Sequence, residues 1–295
     1  MFEWLGITPQ GLFGQILVGL INGSFYAILS LGLAIIFGLL NIVNFAHGAQ
    51  YTMGAFVAWM AATYAGIGYW WSLLLAPLVV GLIGIALELT MLRRLYRSDH
   101  VYGLLLTFGL ALIIEGGLRQ SFGISGERYD IPEQLTGAVN LGFMVLPIYR
   151  AWVVLASMSL CLVTWFIIER TKLGAYLRAG TENPSLLRAF GVNVPLLVTL
   201  TYGFGAALAA LAGVLAAPIF QVNPVMGSNL LIVVFAVVVV GGLGSIAGAI
   251  VTGVGLGLVE GLTKVFYPEA SSVAIFVTMV IVLMLRPRGL FGKDI

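Results

Sequence analysis

Val43-Asn44-Phe45-Ala46-His47-Gly48 is a polar, glycine-bearing break between long apolar runs. Its echo is Val222-Asn223-Pro224-Val225-Met226-Gly227, 179 positions downstream (223 less 44). The likeness extends both ways at that offset without a gap. Phe25, Ala27 and Leu29 match Phe204, Ala206 and Leu208, Phe56 matches Phe235, and Ala49-Gln50 faces Ser228-Asn229. A chain rich in Ala, Leu and Val produces chance identities. Asparagines and glycines in register at an interruption of the apolar pattern are different, and they mark the centres of two repeats, around 11–66 and around 190–245.

Working outward, the 295 residues are 60% hydrophobic and only 9% charged, whereas a soluble domain carries roughly 25% charged residues to face water. Apolar runs of about 20 residues, the length that spans a bilayer core, recur along the chain. They fall at about 11–39, 47–66, 71–92, 102–120, 151–168, 196–220, 229–241, 246–264 and 272–285. The 38 glycines suit helices that approach closely in lipid. The fold class is an all-α polytopic membrane protein of about eight to ten transmembrane segments, forming one transmembrane domain over 1–295. The single Cys161 excludes a disulfide framework. The net charge of +2 gives no sign of nucleic-acid binding. Met1, Phe2, Glu3 and Trp4 lack the basic start of a leader peptide, so no cleavage is expected.

Orientation follows the basic residues, which concentrate on the cytoplasmic side. Arg93, Arg94 and Arg97, then Arg170, Lys172, Arg178 and Arg188, then Arg286, Arg288 and Lys293 hold ten of the 14. Nine crossings put all ten on one side, so the N-terminus is expected outside and the C-terminus in the cytoplasm. The two repeats then start on opposite faces and are inverted, with interrupted helices. Inverted repeats of this kind recur in transporters, with the substrate path near the midplane, and a helix break in lipid survives only where its backbone faces protein or water.

No metal cluster, phosphate-binding loop or nucleophile elbow is present in the sequence. Gly241-Gly242-Leu243-Gly244-Ser245 lacks the lysine of a phosphate loop and reads as a tight turn. Ionisable groups in apolar runs are His47, Glu88, Glu115 and Glu260, and each invites a functional hypothesis because charge in the bilayer is costly. Arg93, Arg119 and Lys264 stand close enough in sequence to pair the three glutamates as interfacial anchors, and none reads as a buried proton relay. His47 is either a neutral imidazole bonded to backbone freed by the break, or, with Asn44, Gly48, Asn223 and Gly227, part of a polar path or gate. The stretch 169–194 (ERTKLGAYLRAGTENPSLLRAFGVNV) is a cytoplasmic loop in which Asn183-Pro184 starts a short helix. Leu186, Leu187 and Phe190 form its apolar stripe, a docking ridge for a soluble partner.

At this point the chain resembles the permease family of branched-chain amino acid ABC importers, the LivH type in particular. VNFAHG resembles that family's INFAHG, and NGSFYAILSLGLAIIFGLLNIVNFAHG its first segment. VVGGLGSIAGAIVTGVGLGLVEG resembles its LGGIGSIPGA segment, RPRGLFG its closing PxGLFG, and 169–194 its coupling loop. Ala49 departs from an acidic position, Ala247 from a proline, and Gly180-Thr181-Glu182-Asn183 from AxEN. The resemblance implies a multi-pass subunit of the bacterial cytoplasmic (inner) membrane. Its implied partners are a second related permease, two ABC ATPase subunits and a periplasmic solute-binding protein. ATP and Mg would act in the ATPases, with no cofactor in this chain. It further implies that Leu177, Arg178, Ala179, Glu182, Asn183, Leu187, Phe190 and Gly191 meet the ATPase, with amino acids, branched-chain ones first, as cargo. Two rivals stand beside it. One is an ATP-independent facilitator or secondary transporter of a small polar solute. The other is a membrane enzyme built on His47, which lacks a partner because His100, the other histidine, falls in a loop beside Asp99.

Overall fold

The computed structural model describes residues 8–40, 43–96 and 98–292; Arg97 and Lys293 of the basic clusters lie outside them. Each of the nine apolar runs is a helix. In chain order the helices are α1 (Pro9–Leu40), α2 (Ala46–Ala65), α3 (Tyr69–Leu87) and α4 (Arg93–Leu95), then α5 (His100–Phe122) and α6 (Ile148–Arg170). The short α7 (Lys172–Glu182) and α8 (Pro184–Ala189) follow, then α9 (Val194–Phe220), α10 (Met226–Gly241), α11 (Ile246–Phe266) and α12 (Ser271–Leu285). A π-helical turn, Glu88–Leu92, joins α3 to α4 without ending the rod. Seven helical stretches are long and apolar enough to cross a membrane. Of the nine runs, the two that fall outside these seven are α2 and α10, each of which begins at one of the repeated breaks. The 16-residue α10 is short of a full span, and α2 carries His47, Gln50, Tyr51 and Thr52 near its start.

Helix starts follow the cap residues written in the sequence. Asp99 accepts the Val101 N–H at 3.0 Å, Asn183 that of Leu186 at 3.0 Å, Asn193 that of Leu196 at 3.1 Å, and Ser245 that of Gly248 at 3.1 Å. Each satisfies a donor that the first helical turn leaves orphaned. The β structure among the described residues is a hairpin, Ala138–Asn140 with Val145–Pro147, and one isolated bridge.

The chain forms two compact units. The first comprises 8–30, 131–161 and 233–292, and the second 31–130 and 162–232. In the first, the start of α1 lies against α11 at backbone distance: a Cβ on Gly23 would stand 2.9 Å from the Val254 Cα, and one on Gly253 2.6 Å from the Ala27 Cα. Small residues let helices come this close where lipid offers no hydrophobic drive to associate. The same unit brings two sequence motifs together. Leu290 and Phe291 of the closing RPRGLFG donate backbone N–H groups to Val240 and Gly241 carbonyls at 2.8 and 3.1 Å. The segment thereby caps α10 where its last carbonyls lack partners, and Gly242 and Gly289, both at positive φ, permit the contact.

In the second unit α2 is the buried centre. Gly54 meets the Ala210 backbone, and Gly213 meets the Tyr51 carbonyl, so closely that no side chain fits. α3 lies on the other flank of α9, where Gly84 rests on Ala206 and Tyr202. By contrast α5 in the second unit and α12 in the first are mostly exposed along their apolar faces. That is the arrangement expected of helices solvated by lipid or by other subunits.

Candidate functional site

The two breaks are built alike. Asn44 Oδ1 accepts the Ala46 N–H at 3.1 Å, and Asn223 Oδ1 accepts the Val225 N–H at 3.2 Å. The carbonyl of each asparagine then accepts the N–H three residues on, His47 at 3.2 Å and Met226 at 3.3 Å. This is an Asx turn leading into a helix, which supplies partners for backbone groups that lipid could not satisfy.

The two helix starts touch. A Cβ on Gly48 would lie 2.7 Å from the Gly227 carbonyl oxygen, and one on Gly227 would overlap the Gly48 carbonyl. These glycines are equivalent in the 179-residue register. Between them Thr52 Oγ1 accepts the Gly227 N–H at 3.0 Å and lies 3.2 Å from the Gly48 carbonyl oxygen. A water-sized cavity of about 30 Å³ opens beside this contact, lined by Phe45, Gly48, Thr52, Glu115, Pro224 and Ser228 among others.

Toward α9 the first break continues as a wholly buried polar cluster. Asn44, His47, Gln50 and Tyr202 have almost no exposure. Gln50 Nε2 donates to the Tyr202 hydroxyl at 3.3 Å, with Asn44 beside it. Gln50 Oε1 has no hydrogen-bond partner among the described residues. The His47 ring packs against α1, where a Cβ on Gly32 would stand 2.9 Å from its Cε1. Asn44, His47, Gly48 and Gly227 are thus brought together, and Asn223 shapes the facing turn. Gln50, Thr52, Thr107 and Tyr202 are additions. Gln50 had a signal, since its amide matches Asn229 across the repeats; Tyr202 had none, lying 152 residues away.

The three glutamates have the cation partners expected of them: Glu115 pairs with Arg119 at 2.8 Å, Glu88 with Arg93 and Glu260 with Lys264, and Glu88 and Glu260 are in addition buried. Glu88 is fully enclosed and bonded to Arg93 and Tyr96, and Glu260 holds Lys264 and accepts the Tyr26 hydroxyl at 2.8 Å. Burial, and with it the charge of Glu88, pushes the Tyr96 hydroxyl above the usual phenol range, so it remains a donor at neutral pH. These cation partners weigh against a proton relay at any of the three.

The segment 169–194 folds as α7 and α8. Gly174 lies against the Ile168 carbonyl so closely that only glycine fits, which fixes the turn from α6. The expected ridge is split. Leu187 is 5% exposed and packs at Gly180, whereas Leu186 is 55% and Phe190 78% exposed. Leu187 is therefore an inward anchor, because successive residues of a helix face different sides. Arg178, expected as a free polar anchor, bonds Glu169 Oε2 and the Ile168 carbonyl, both at 3.3 Å, and so ties α7 to α6. Asn183 is occupied in capping α8. Leu177 and Ala179 are half-buried, while Glu182 and Gly191 are exposed. Among the described residues no group of three His, Cys, Asp or Glu side chains could hold a metal ion.

A multi-pass apolar chain with two matched breaks and a polar two-helix segment is also what comparison returns. The family described as the permease component of branched-chain amino acid transport systems matches residues 15–284. The chain belongs to that family. It is 27% identical to the high-affinity branched-chain amino acid transport system permease protein LivH of Escherichia coli, over 95% of both chains. It is 29% identical to BraD of Pseudomonas aeruginosa, a permease of the same description, again over 95% of both. The probable LivH permease of Methanocaldococcus jannaschii is 27% identical, over 93% of this chain and 91% of its own. No solved structure matches. Membership makes the chain an ABC-type permease subunit for branched-chain amino acid import, a transport component and not an enzyme.

Proposed function

We propose that this permease passes branched-chain amino acids across the bacterial inner membrane by alternating access at the paired breaks. The observation that carries the reading is the contact of the two equivalent helix starts at Gly48 and Gly227, beside a small cavity. Polar turns juxtaposed in this way between apolar helices form a place where one passage can open as another closes. Asn44 and Asn223, with Gln50 and Tyr202, are low-affinity polar steps, and His47 holds the first turn in shape.

On this reading the repeats are inverted, the N-terminus is outside and the C-terminus is cytoplasmic. The 172–189 segment then faces the cytoplasm, where two ATPase subunits dock on Leu186, Phe190, Glu182 and Gly191, with Leu177 and Ala179 behind them. A second permease completes the membrane part, and a periplasmic binding protein delivers cargo. Because that protein selects the ligand, the passage needs little selectivity of its own. ATP and Mg belong to the ATPases.

The test is reconstitution in liposomes with partner permease, ATPases and binding protein, measuring leucine uptake. Uptake that requires ATP and disappears with Phe190→Asp supports the reading. Uptake by the permease alone without ATP would replace it with a facilitator, the rival that inverted repeats also suit.

A further inference from the structure

Glu88 sits in the π-helical turn and is wholly buried, yet nothing in the transport passage uses it. Its carboxylate accepts from Arg93 Nε at 3.3 Å, Arg93 Nη2 at 3.4 Å, the Tyr96 hydroxyl at 2.9 Å and the Thr199 hydroxyl at 2.6 Å. Arg93 also donates to the Pro195 carbonyl at 3.3 Å. Glu88, Arg93 and Tyr96 come from the α3–α4 rod, while Thr199 and the Pro195 carbonyl belong to the first turn and a half of α9. On its open side Arg93 borders a groove of about 340 Å³ walled by Ile85, Leu89, Leu196 and Leu200, and there the polar contacts bridge α9 to the α3–α4 rod.

Two neighbours give this clamp its meaning. Just before it, Asn193 caps α9 directly after α8, so the clamp grips α9 where the 172–189 segment hands over to it. Just after it, Tyr202 stands three residues beyond Thr199 on the same face of α9 and receives Gln50 from the first break. From Pro195 to Tyr202 is about 10 Å of continuous helix.

We propose that Glu88 is a positioning residue for transport. With Arg93, Tyr96 and Thr199 it locks the start of α9 to α3 and α4, so a displacement of 172–189 reaches Gln50 and Asn44 through a stiff α9. Without the lock the first turn of α9 absorbs the displacement. This rests on the importer reading above.

The experiment compares wild type, Glu88→Gln and Thr199→Val in the complete reconstituted transporter, reading leucine imported per ATP hydrolysed. Glu88→Gln, which keeps the shape and loses the charge, is expected to lower that ratio about tenfold, and Thr199→Val about threefold. Hydrolysis stimulated by the binding protein and the yield of assembled complex should stay near wild type. Amide hydrogen exchange at 196–200 should rise in both variants, with 46–52 unchanged. If Glu88→Gln does not assemble, Thr199→Val decides, since it removes one hydroxyl and leaves the ion pair. An unchanged ratio overturns the proposal, and so does a parallel fall of import, hydrolysis and yield, which would mean a purely structural role. Wild-type import without ATPases would instead defeat the importer reading itself.

Discussion

The two breaks share an asparagine turn and a glycine contact, but their backbones are satisfied by different means. At the first, the Phe45 N–H donates to the Thr107 hydroxyl of α5 at 3.2 Å, and that hydroxyl lies 3.3 Å from the Val43 carbonyl oxygen. Thr107 is seven residues into α5, about 10 Å along its axis. At the second, Val222 exchanges both backbone bonds with Glu127, at 2.7 and 2.8 Å, beyond the far end of α5. There Gln221 takes φ 59 and ψ 146, a region otherwise almost confined to glycine, with a strain of about 1–3 kcal/mol. One break is therefore lodged beside the body of a membrane helix and held by side chains. The other lies at a helix end and takes main-chain bonds from Glu127 in place of a threonine from α5.

The largest effect is expected where the breaks meet. Gly227→Ala drives a methyl into the Gly48 carbonyl, and Gly48→Ala sets one 2.7 Å from the Gly227 carbonyl. Backbone cannot yield as a side chain does, so each costs at least the 1–3 kcal/mol of ordinary overpacking, about tenfold or more in import. Leucine uptake normalised to assembled complex should fall further for Gly227→Ala than for Gly48→Ala. Equal, near-wild-type uptake would mean that the contact opens during transport and carries no load.

Next comes the difference in support. Thr107→Val leaves the Phe45 N–H without its partner, and an unsatisfied buried group costs about 1–3 kcal/mol. Asn44→Ala removes a turn in the interior and a neighbour of Tyr202, whereas Asn223→Ala removes a half-buried turn whose preceding residue is already held by the Glu127 main chain. Thermal unfolding in detergent should rank Thr107→Val and Asn44→Ala as clearly destabilised, and Asn223→Ala by about 1 kcal/mol or less. Equal losses at the two asparagines would dissolve the distinction between the breaks.

How much of this was open to reading follows from what each feature requires. The nine helices are legible because bilayer length and apolar composition are local properties. The matched breaks are legible because Asn and Gly interrupt that composition at one offset. The family resemblance rested on the same stretches and held along the chain. Which face of a membrane helix is buried was hidden, since lipid and protein interior are equally apolar; in α8 the three apolar residues read as one ridge because nothing in their spacing tells that Leu187 packs on α7 at Gly180. Glu88 was read with Arg93 as its partner, and the structure has that pair; its enclosure against Thr199 of α9 was hidden. In an α-helix residues five apart do not share a face, but the π turn bonds the Arg93 N–H to the Glu88 carbonyl and brings the two side chains together. Thr107 and Tyr202 serve the first break from distant helices, which no spacing rule reports.

The smallest effect sharpens the comparison most finely. In the 179-residue register Met226 stands where the first break has His47, and Leu211 stands where it has Gly32. In that register the sequence exchanges bulk, histidine and glycine at the first break for methionine and leucine at the second. Methionine is unbranched and fills irregular space, and the second break shows that the turn itself tolerates it. His47→Met should therefore assemble, lose about 1 kcal/mol of stability with the imidazole's hydrogen bonding, and import leucine within about twofold of wild type. That result makes His47 a support of the first turn and leaves Asn44, Gln50 and Tyr202 as the polar passage. A tenfold loss of uptake with full assembly would instead put the ring in the passage, and the breaks would then differ in chemistry as well as in support.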